Sequence, residues 1–306
     1  MFNLLRNHSK IIVYIAAVTM VVSMGIGSYY FMGNSGSSAG NVSVDKENIA
    51  RVNNTEISRQ RYNSVLQNQA NQMSQMSRSQ IIPTRYNVLN SLIERELIMQ
   101  EAERLGITAE VTDEEVEESI DNYLDRFDLT REELEEQATG EEFSMSDLRE
   151  DFRKDVRNQK QLQNTLEQVQ EDVEVSEEEI KNEYEAQHQN TGDDEESPEF
   201  EEVRKDIEEQ LLQEKKNEQV EEWISELKEE AEIEIYDPVL SGYKALQDEN
   251  HDRAVDIFAT ILEETSDPSV YSYLAEAYRG KEEMDKAIET LQEALEEYED
   301  DWELHY

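Results

Sequence analysis

The run VLNSLIERELIMQEAERLGI, residues 88–107, decides the fold class. Together with Tyr86, its apolar positions Val88, Leu89, Leu92, Ile93, Leu97, Ile98 and Met99 recur at helical steps. They cover too much of the circumference for a single buried stripe, so neighbours are expected to pack on this helix from several sides. The helix is read as beginning after Pro83 and ending at Gly106, where a left-handed residue can close the last turn.

Upstream, Ile49-Ala50-Arg51-Val52-Asn53 alternates apolar and polar residues and runs into Asn53-Asn54, the pattern of a short strand and a turn. A helix is expected next, with Ser58 as its N-cap and Tyr62, Val65 and Leu66 on one face. Residues 67–80, rich in Gln, Asn and Ser with Met73 and Met76, read equally as a poorly packed helix end or a loop. Downstream, capping boxes mark three helix starts: Thr112 with Glu115, Thr130 with Glu133, and Ser176 with Glu179. The first opens a stripe of Val116, Ile120, Tyr123, Leu124 and Phe127. A longer helix carries Leu148, Phe152, Val156, Leu162, Leu166 and Val169. The spacing of Phe200, Val203, Ile207, Leu211, Val220, Ile224, Leu227 and Ala231 predicts a helix of about eight turns. An alternating Ile233, Ile235 strand follows, before Pro238.

Three of these segments, IARVNNTEISRQRYNSVL, VLNSLIERELIMQEAERLGI and VTDEEVEESIDNYLDRF, in that order and spacing, resemble the N-terminal chaperone region of the SurA, PrsA and PpiD family of extracytoplasmic folding factors. EVSEEEIKNEYEAQ resembles the family's lead into its parvulin-type prolyl isomerase domain, and FEEVRKDIEEQLLQEKKNEQVEEWISELKEEAEIEIY the segment returning from it. The resemblance spans residues 47–236 and implies a helical chaperone domain closed by its two terminal strands. The departure from the family lies between Gln187 and Pro198, where ten residues, HQNTGDDEES, stand in place of a parvulin domain of on the order of a hundred. Prolyl isomerase activity is therefore not expected, and His188 is read as a solvated loop residue.

Superposing residues 237–306 on themselves at a shift of 33 pairs Gly242 with Ala275, Ala254 with Ala287, Val255 with Ile288, Phe258 with Leu291 and Leu262 with Leu295. With Leu274, Tyr278 and Ala294 this resembles the tetratricopeptide repeat, whose small residues let paired helices approach closely. Pro268 separates the two copies, and Asp301-Trp302 resembles the start of a third. Two units fall short of the ~3 that bury a solenoid core, so the pair is expected to dock on the chaperone body, on the preceding long helix or on another protomer. Ser272, Glu276 and Arg279, at inner-helix positions, do not suggest a basic clamp; the pair is read as a partner groove or as a spacer.

At the other end, residues 11–32, IIVYIAAVTMVVSMGIGSYYFM, run uncharged for long enough to span a ~30 Å hydrocarbon core. Arg6 and Lys10 precede them, which places residues 1–10 in the cytoplasm and everything after the span outside the membrane. Cleavage after Ser37-Ser38-Ala39 is the alternative; signal-peptide apolar regions are ~7–15 residues, so a retained anchor is expected. Residues 33–46, beginning GNSGSSAG, read as a flexible linker. The organisation expected is thus mainly α: a transmembrane helix, a chaperone domain over 47–236 and two repeats over 237–306.

The chain of 306 residues has no cysteine, which excludes disulfides, lipid anchoring through cysteine, Cys-ligated metals and a thiol nucleophile. Its 28 Lys and Arg against 74 Asp and Glu give a net charge of -46, and such a surface opposes nucleic-acid binding. The charge is uneven. Residues 1–44 carry +2, residues 45–104 carry +1 with eight bases and seven acids, and the remaining 18 bases and 67 acids place -49 after residue 104. Such self-repulsion suggests an ectodomain suited to concentrated salt, where screening is short-ranged; the alternative is an acidity that keeps the chain from trapping acidic neighbours or steers basic clients. Four scattered histidines, and no metalloprotease, nucleophile-elbow, phosphate-loop or dinucleotide motif, leave no catalytic residue, metal ligand or cofactor site to assign. Gly192-Asp193-Asp194-Glu195-Glu196 lacks the spaced ligands of a calcium loop and reads as a solvated loop; Asn41 and Asn53 head short glycosylation patterns.

Together these readings point to a membrane-anchored extracytoplasmic chaperone that holds unfolded or newly translocated polypeptides without enzymatic activity. Its client surface is expected along the near-neutral residues 45–104 facing the acidic helices, with no contact residue assigned. The alternative is a scaffold that recruits an envelope protein through the repeats.

Overall fold

The computed structural model describes residues 47–69, 73, 76–137, 144–188, 198–265 and 267–297. The expected membrane span at 11–32, the linker, the Asn41 pattern, the acidic loop at 192–196 and Trp302 lie outside the described residues. Among the described residues no helix is long and apolar enough to cross a membrane.

Among the described residues the chain is mainly helical with one small sheet. Strand β1 (Asn48–Val52) is central, flanked by antiparallel β2 (Thr55–Ser58) and antiparallel β3 (Ile233–Ile235). The two strands expected at the ends of the domain do pair, yet the sheet has three strands and not two. Thr55–Ser58 has only Ile57 buried, too little alternation to announce a strand, but the turn at Asn53 folds it back onto β1. Asn53 takes φ 54°, a left-handed conformation that Asn tolerates better than most residues. On one face of the sheet Ala50 lies between Ile57 and Ile235, against the core; on the other Arg51 lies between Glu56 and Glu234 and bonds Glu234 at 2.9 Å.

Helix α1 (Arg59–Asn68) starts at Ser58, whose hydroxyl accepts from the Arg61 amide, and it buries Tyr62 and Val65. Helix α2 (Arg78–Leu105) is the spine of the molecule. It begins before the expected start, at a Ser77–Gln80 capping box, and continues straight through Pro83. Proline cannot donate to the carbonyl four residues back, which strands the Ser79 oxygen. The Tyr273 hydroxyl, 194 residues away in sequence, donates to that oxygen at 3.1 Å. Local sequence therefore forecast a break that a distant side chain repairs. Gly106, at φ 70°, closes the helix as expected.

Two helical arms follow. Helices α3 (Asp113–Phe127), α4 (Arg131–Gln137) and the first half of α5 (Met145–Val169) enclose their own small core of Val116, Ile120, Leu124, Leu134, Leu148 and Phe152. Helix α6 (Glu177–His188) pairs with the N-terminal part of α7 (Phe200–Glu230), where Tyr184 and Phe200 meet edge to face at 5.3 Å. Midway, Ile98 of α2, Leu162 of α5 and Ile224 of α7 join the arms to the spine. Helix α7 leads directly into β3, so the sheet closes a loop of chain that begins at β1.

The two superposed copies are two helical hairpins: α8 (Pro238–Gln247) with α9 (His251–Glu264), and α10 (Pro268–Gly280) with α11 (Met284–Glu297). The small residues serve the expected purpose, since a Cβ at Gly242 would come within 2.7 Å of the Phe258 ring. The hairpins dock on the body. One continuous core holds Ile49, Val52, Tyr62 and Leu89 together with Leu240, Phe258, Tyr273 and Leu274, so burial does not stop at residue 237. Fully burying each such large side chain is worth about 1.5–3 kcal/mol. Tyr86 of α2 meets Tyr243 of α8 at 5.2 Å, and Tyr243 meets Tyr273 of α10 at 5.5 Å. The first helices of the hairpins thus commit Tyr243 and Tyr273 to α2, while the inner-helix positions Ser272, Glu276 and Arg279 stay exposed.

Candidate polypeptide-binding surface

The sheet positions everything else. Asn53 is its clasp: its amide donates to the Glu232 carbonyl at 2.7 Å, its side-chain oxygen accepts from the Glu232 amide at 2.9 Å, and its side-chain nitrogen donates to Gln100 of α2 at 2.8 Å. Gln100 in turn donates to the Val52 carbonyl at 3.2 Å. The side-chain nitrogen that a glycan would need is thus committed to α2. Next to the clasp, Arg85 pairs with Asp237 at 3.0 Å, and Asp237 also caps α8, which fixes the hairpins to the spine.

Midway along α2, Glu94, Arg95 and Glu96 interrupt the apolar pattern. Successive residues point about 100° apart around a helix, so the three address different neighbours. Glu94, only 1% exposed, accepts from Lys228 of α7 at 2.5 Å and from Asn90 at 2.7 Å. Arg95, 7% exposed, lies in the fields of Arg61 on α1 and Asp155 on α5. Burial, helped by Arg61, brings the Arg95 guanidinium down to about 10, and burial raises the Asp155 carboxyl against the pull of both arginines. Lys228 ties α7 to the spine through Glu94, while Arg95 stands in the field of Asp155 on α5 and against the like charge of Arg61 on α1. The apolar side chains of residues 82–98 are core, so the open surface of the near-neutral segment is polar, with Thr55, Glu56, Gln60 and Asn63 exposed.

Each arm is stapled by a capping carboxylate that serves twice. Glu115 accepts from the Thr112 amide at 2.8 Å and from Lys160 of α5 at 2.5 Å; Glu179 accepts from the Ser176 amide at 2.8 Å and pairs with Lys215 of α7 at 2.6 Å. The lysine and the capping bonds hold both carboxyls down at about 2. Arg131 joins Glu117 and Asp121 in the first arm, and Arg204 grips Glu177 with two bonds of 3.1 Å in the second.

The end of α5, the turn after it and the middle of α7 leave a cleft of about 510 Å³. Glu167, Gln168, Gln170, Glu171, Val173, Leu212 and Lys216 line it. Gln170 donates to the Lys216 carbonyl at 3.5 Å and holds the base together. Two amides, two carboxylates and a lysine, set beside two aliphatic side chains, can meet the backbone groups and the apolar side chains of an extended segment. Sequence reading passed over this place. The available signal was compositional: in a region dominated by Glu, residues 158–170 carry Asn158, Gln159, Gln161, Gln163, Asn164, Gln168 and Gln170. At the other positions singled out, Ser272, Glu276 and Arg279 are exposed on α10, with Arg279 within 3.4 Å of Glu276, and His188 ends α6.

A family model described as the SurA-like N-terminal domain matches residues 1–162. No curated protein matches the chain.

Proposed function

Because the chain belongs to the SurA-like N-terminal domain family, we propose that it is a membrane-anchored extracytoplasmic chaperone that holds unfolded or newly translocated polypeptides. Residues 11–32 anchor it, with the N-terminus in the cytoplasm and the folded body outside. The cleft between α5 and α7, where amides and charged side chains stand beside Val173 and Leu212, is the observation that carries the holding role. Extended clients offer unpaired backbone groups and apolar side chains, and this lining can meet both without chemistry. Clients bind and leave unchanged: the chain is not an enzyme, and ten residues at 188–197 leave no room for an isomerase domain of on the order of a hundred.

A scaffold acting through a tetratricopeptide groove is the weaker reading, since Tyr243 and Tyr273 of the hairpins are spent on α2. The test is suppression of aggregation of a chemically unfolded client by the full chain. Protection is expected, and Leu212→Glu with Gln170→Glu should reduce it severalfold while helicity stays constant. Absence of protection by the parent chain refutes the holding role. Undiminished protection by the variant moves the site elsewhere. In a proline-limited refolding assay the chain should give no acceleration, and acceleration would overturn the non-enzymatic reading.

A further inference from the structure

Among the described residues, four large apolar side chains are exposed: Leu105, Phe127, Met284 and Ile288. Met284 and Ile288, one helical turn apart on α11, are 55% and 53% exposed. The internal repeat supplies a reference for this face. Their stripe continues through Leu291 and Leu295, and the 33-residue shift superposes Ile288, Leu291 and Leu295 on Val255, Phe258 and Leu262 of α9. In α9 that stripe is packed in the main core, beside Val270, Leu274 and Ala277 of the next helix, α10. In α11 the same stripe belongs to no core cluster among the described residues, while Ala287 and Ala294, on the adjoining face, are buried. The sequence therefore prepares α11 for a following helix as it prepares α9 for α10.

The flank of the stripe turned away from α10 is acidic: Asp285, Glu289 and Glu296 are exposed and make no ion pair among the described residues. Like charge along that flank opposes a second acidic chain and favours a basic one. We propose that the Met284–Ile288 face of α11 docks an amphipathic helix of a partner polypeptide, with apolar residues at three- and four-residue steps, as in Val270-Leu274-Ala277, and Lys or Arg on its flanks. This surface lies apart from the α5–α7 cleft, so recruitment here and client holding there are separable.

The probe is a synthetic peptide with Val, Leu and Ala at the α10 spacing and Lys at the remaining positions, paired with a counterpart carrying Glu for Lys. Fluorescence anisotropy against the full chain should show binding of the Lys peptide only. Met284→Glu combined with Ile288→Glu should weaken it at least about tenfold, the loss of two apolar anchors, with helicity unchanged because both side chains are exposed. Equal affinity of the variant would mean general attraction to an acidic protein and would overturn the proposal. So would a dimer of the parent chain that the same substitutions disperse, or tighter peptide binding after removal of residues 298–306, since either result gives the face to another occupant.

Discussion

Tyr273→Phe removes one oxygen atom and leaves the ring contacts with Tyr243 and Phe258 in place. The hydroxyl it deletes donates at 3.1 Å to the Ser79 carbonyl, which Pro83 has deprived of its helical donor. Burial raises the Tyr273 phenol, so the proton is present to be donated at every ordinary pH. Ser79 is exposed, so water replaces part of the lost bond, and the variant should lose the net worth of one hydrogen bond, about 0.5–1.5 kcal/mol. Pro83→Ala supplies the missing N–H within α2. In that background the carbonyl keeps a partner without Tyr273, and Tyr273→Phe should cost about 0.5 kcal/mol or less. The coupling energy of the double-mutant cycle is then about 0.5–1 kcal/mol, above the few tenths expected of independent sites. Urea unfolding followed by circular dichroism on the four proteins measures it, with equal m-values as the check on a common transition. Equal costs of Tyr273→Phe in the two backgrounds would refute the claim that this hydroxyl repairs the proline gap.

Three further outcomes follow from particular contacts. Asn53→Ala should destabilise by about 1–3 kcal/mol, through lost bonds to Glu232 and Gln100 and a left-handed backbone without Asn, whereas Asn53→Asp keeps the acceptor and should cost less; thermal unfolding of the two variants checks the order. Glu115 and Glu179 have folded values of about 2 against an ordinary 4.5, so their stabilisation is complete above the ordinary value and is lost as pH falls through the folded one. Helicity of the arms should therefore decline over that acid window, and Lys160→Met with Lys215→Met should move the decline to higher pH; an unmoved acid transition would count against the staples. With a net charge of -46, the melting temperature should rise between low and multimolar NaCl, and a flat response would remove the link between acidity and a saline setting.

What the sequence made legible was local. Ser58, Thr112, Thr130 and Ser176 all cap helices where their spacing placed them, because a cap is a contract among residues three apart. The pairing of residues 49–53 with 233–235 could be drawn from the resemblance alone, since no local pattern reaches that far. β2 was hidden because one buried isoleucine does not make an alternation. The continuation of α2 through Pro83 was hidden because its remedy sits in α10. The lysines that turn Glu115 and Glu179 into staples are also remote, at 160 and 215, and a helix full of Glu offers no reason to prefer one carboxylate over another. The cleft was masked for a related reason: amides on α5 look like ordinary solvent-facing residues until α7 is laid beside them.

The clasp between β1 and β3 has a kinetic meaning as well as a static one. Arg51 and Glu232, which meet across it, are 181 residues apart, so closing the sheet before the arms form would cost about 4–5 kcal/mol in loop entropy alone. High contact order of this kind places the step late in folding. Each helix of the arms that forms first shortens the effective loop and lowers that cost. A chain synthesised N-terminus first therefore carries the β1–β2 hairpin with an open edge until residue 235 has followed, and the two arms mature ahead of the head that will hold them.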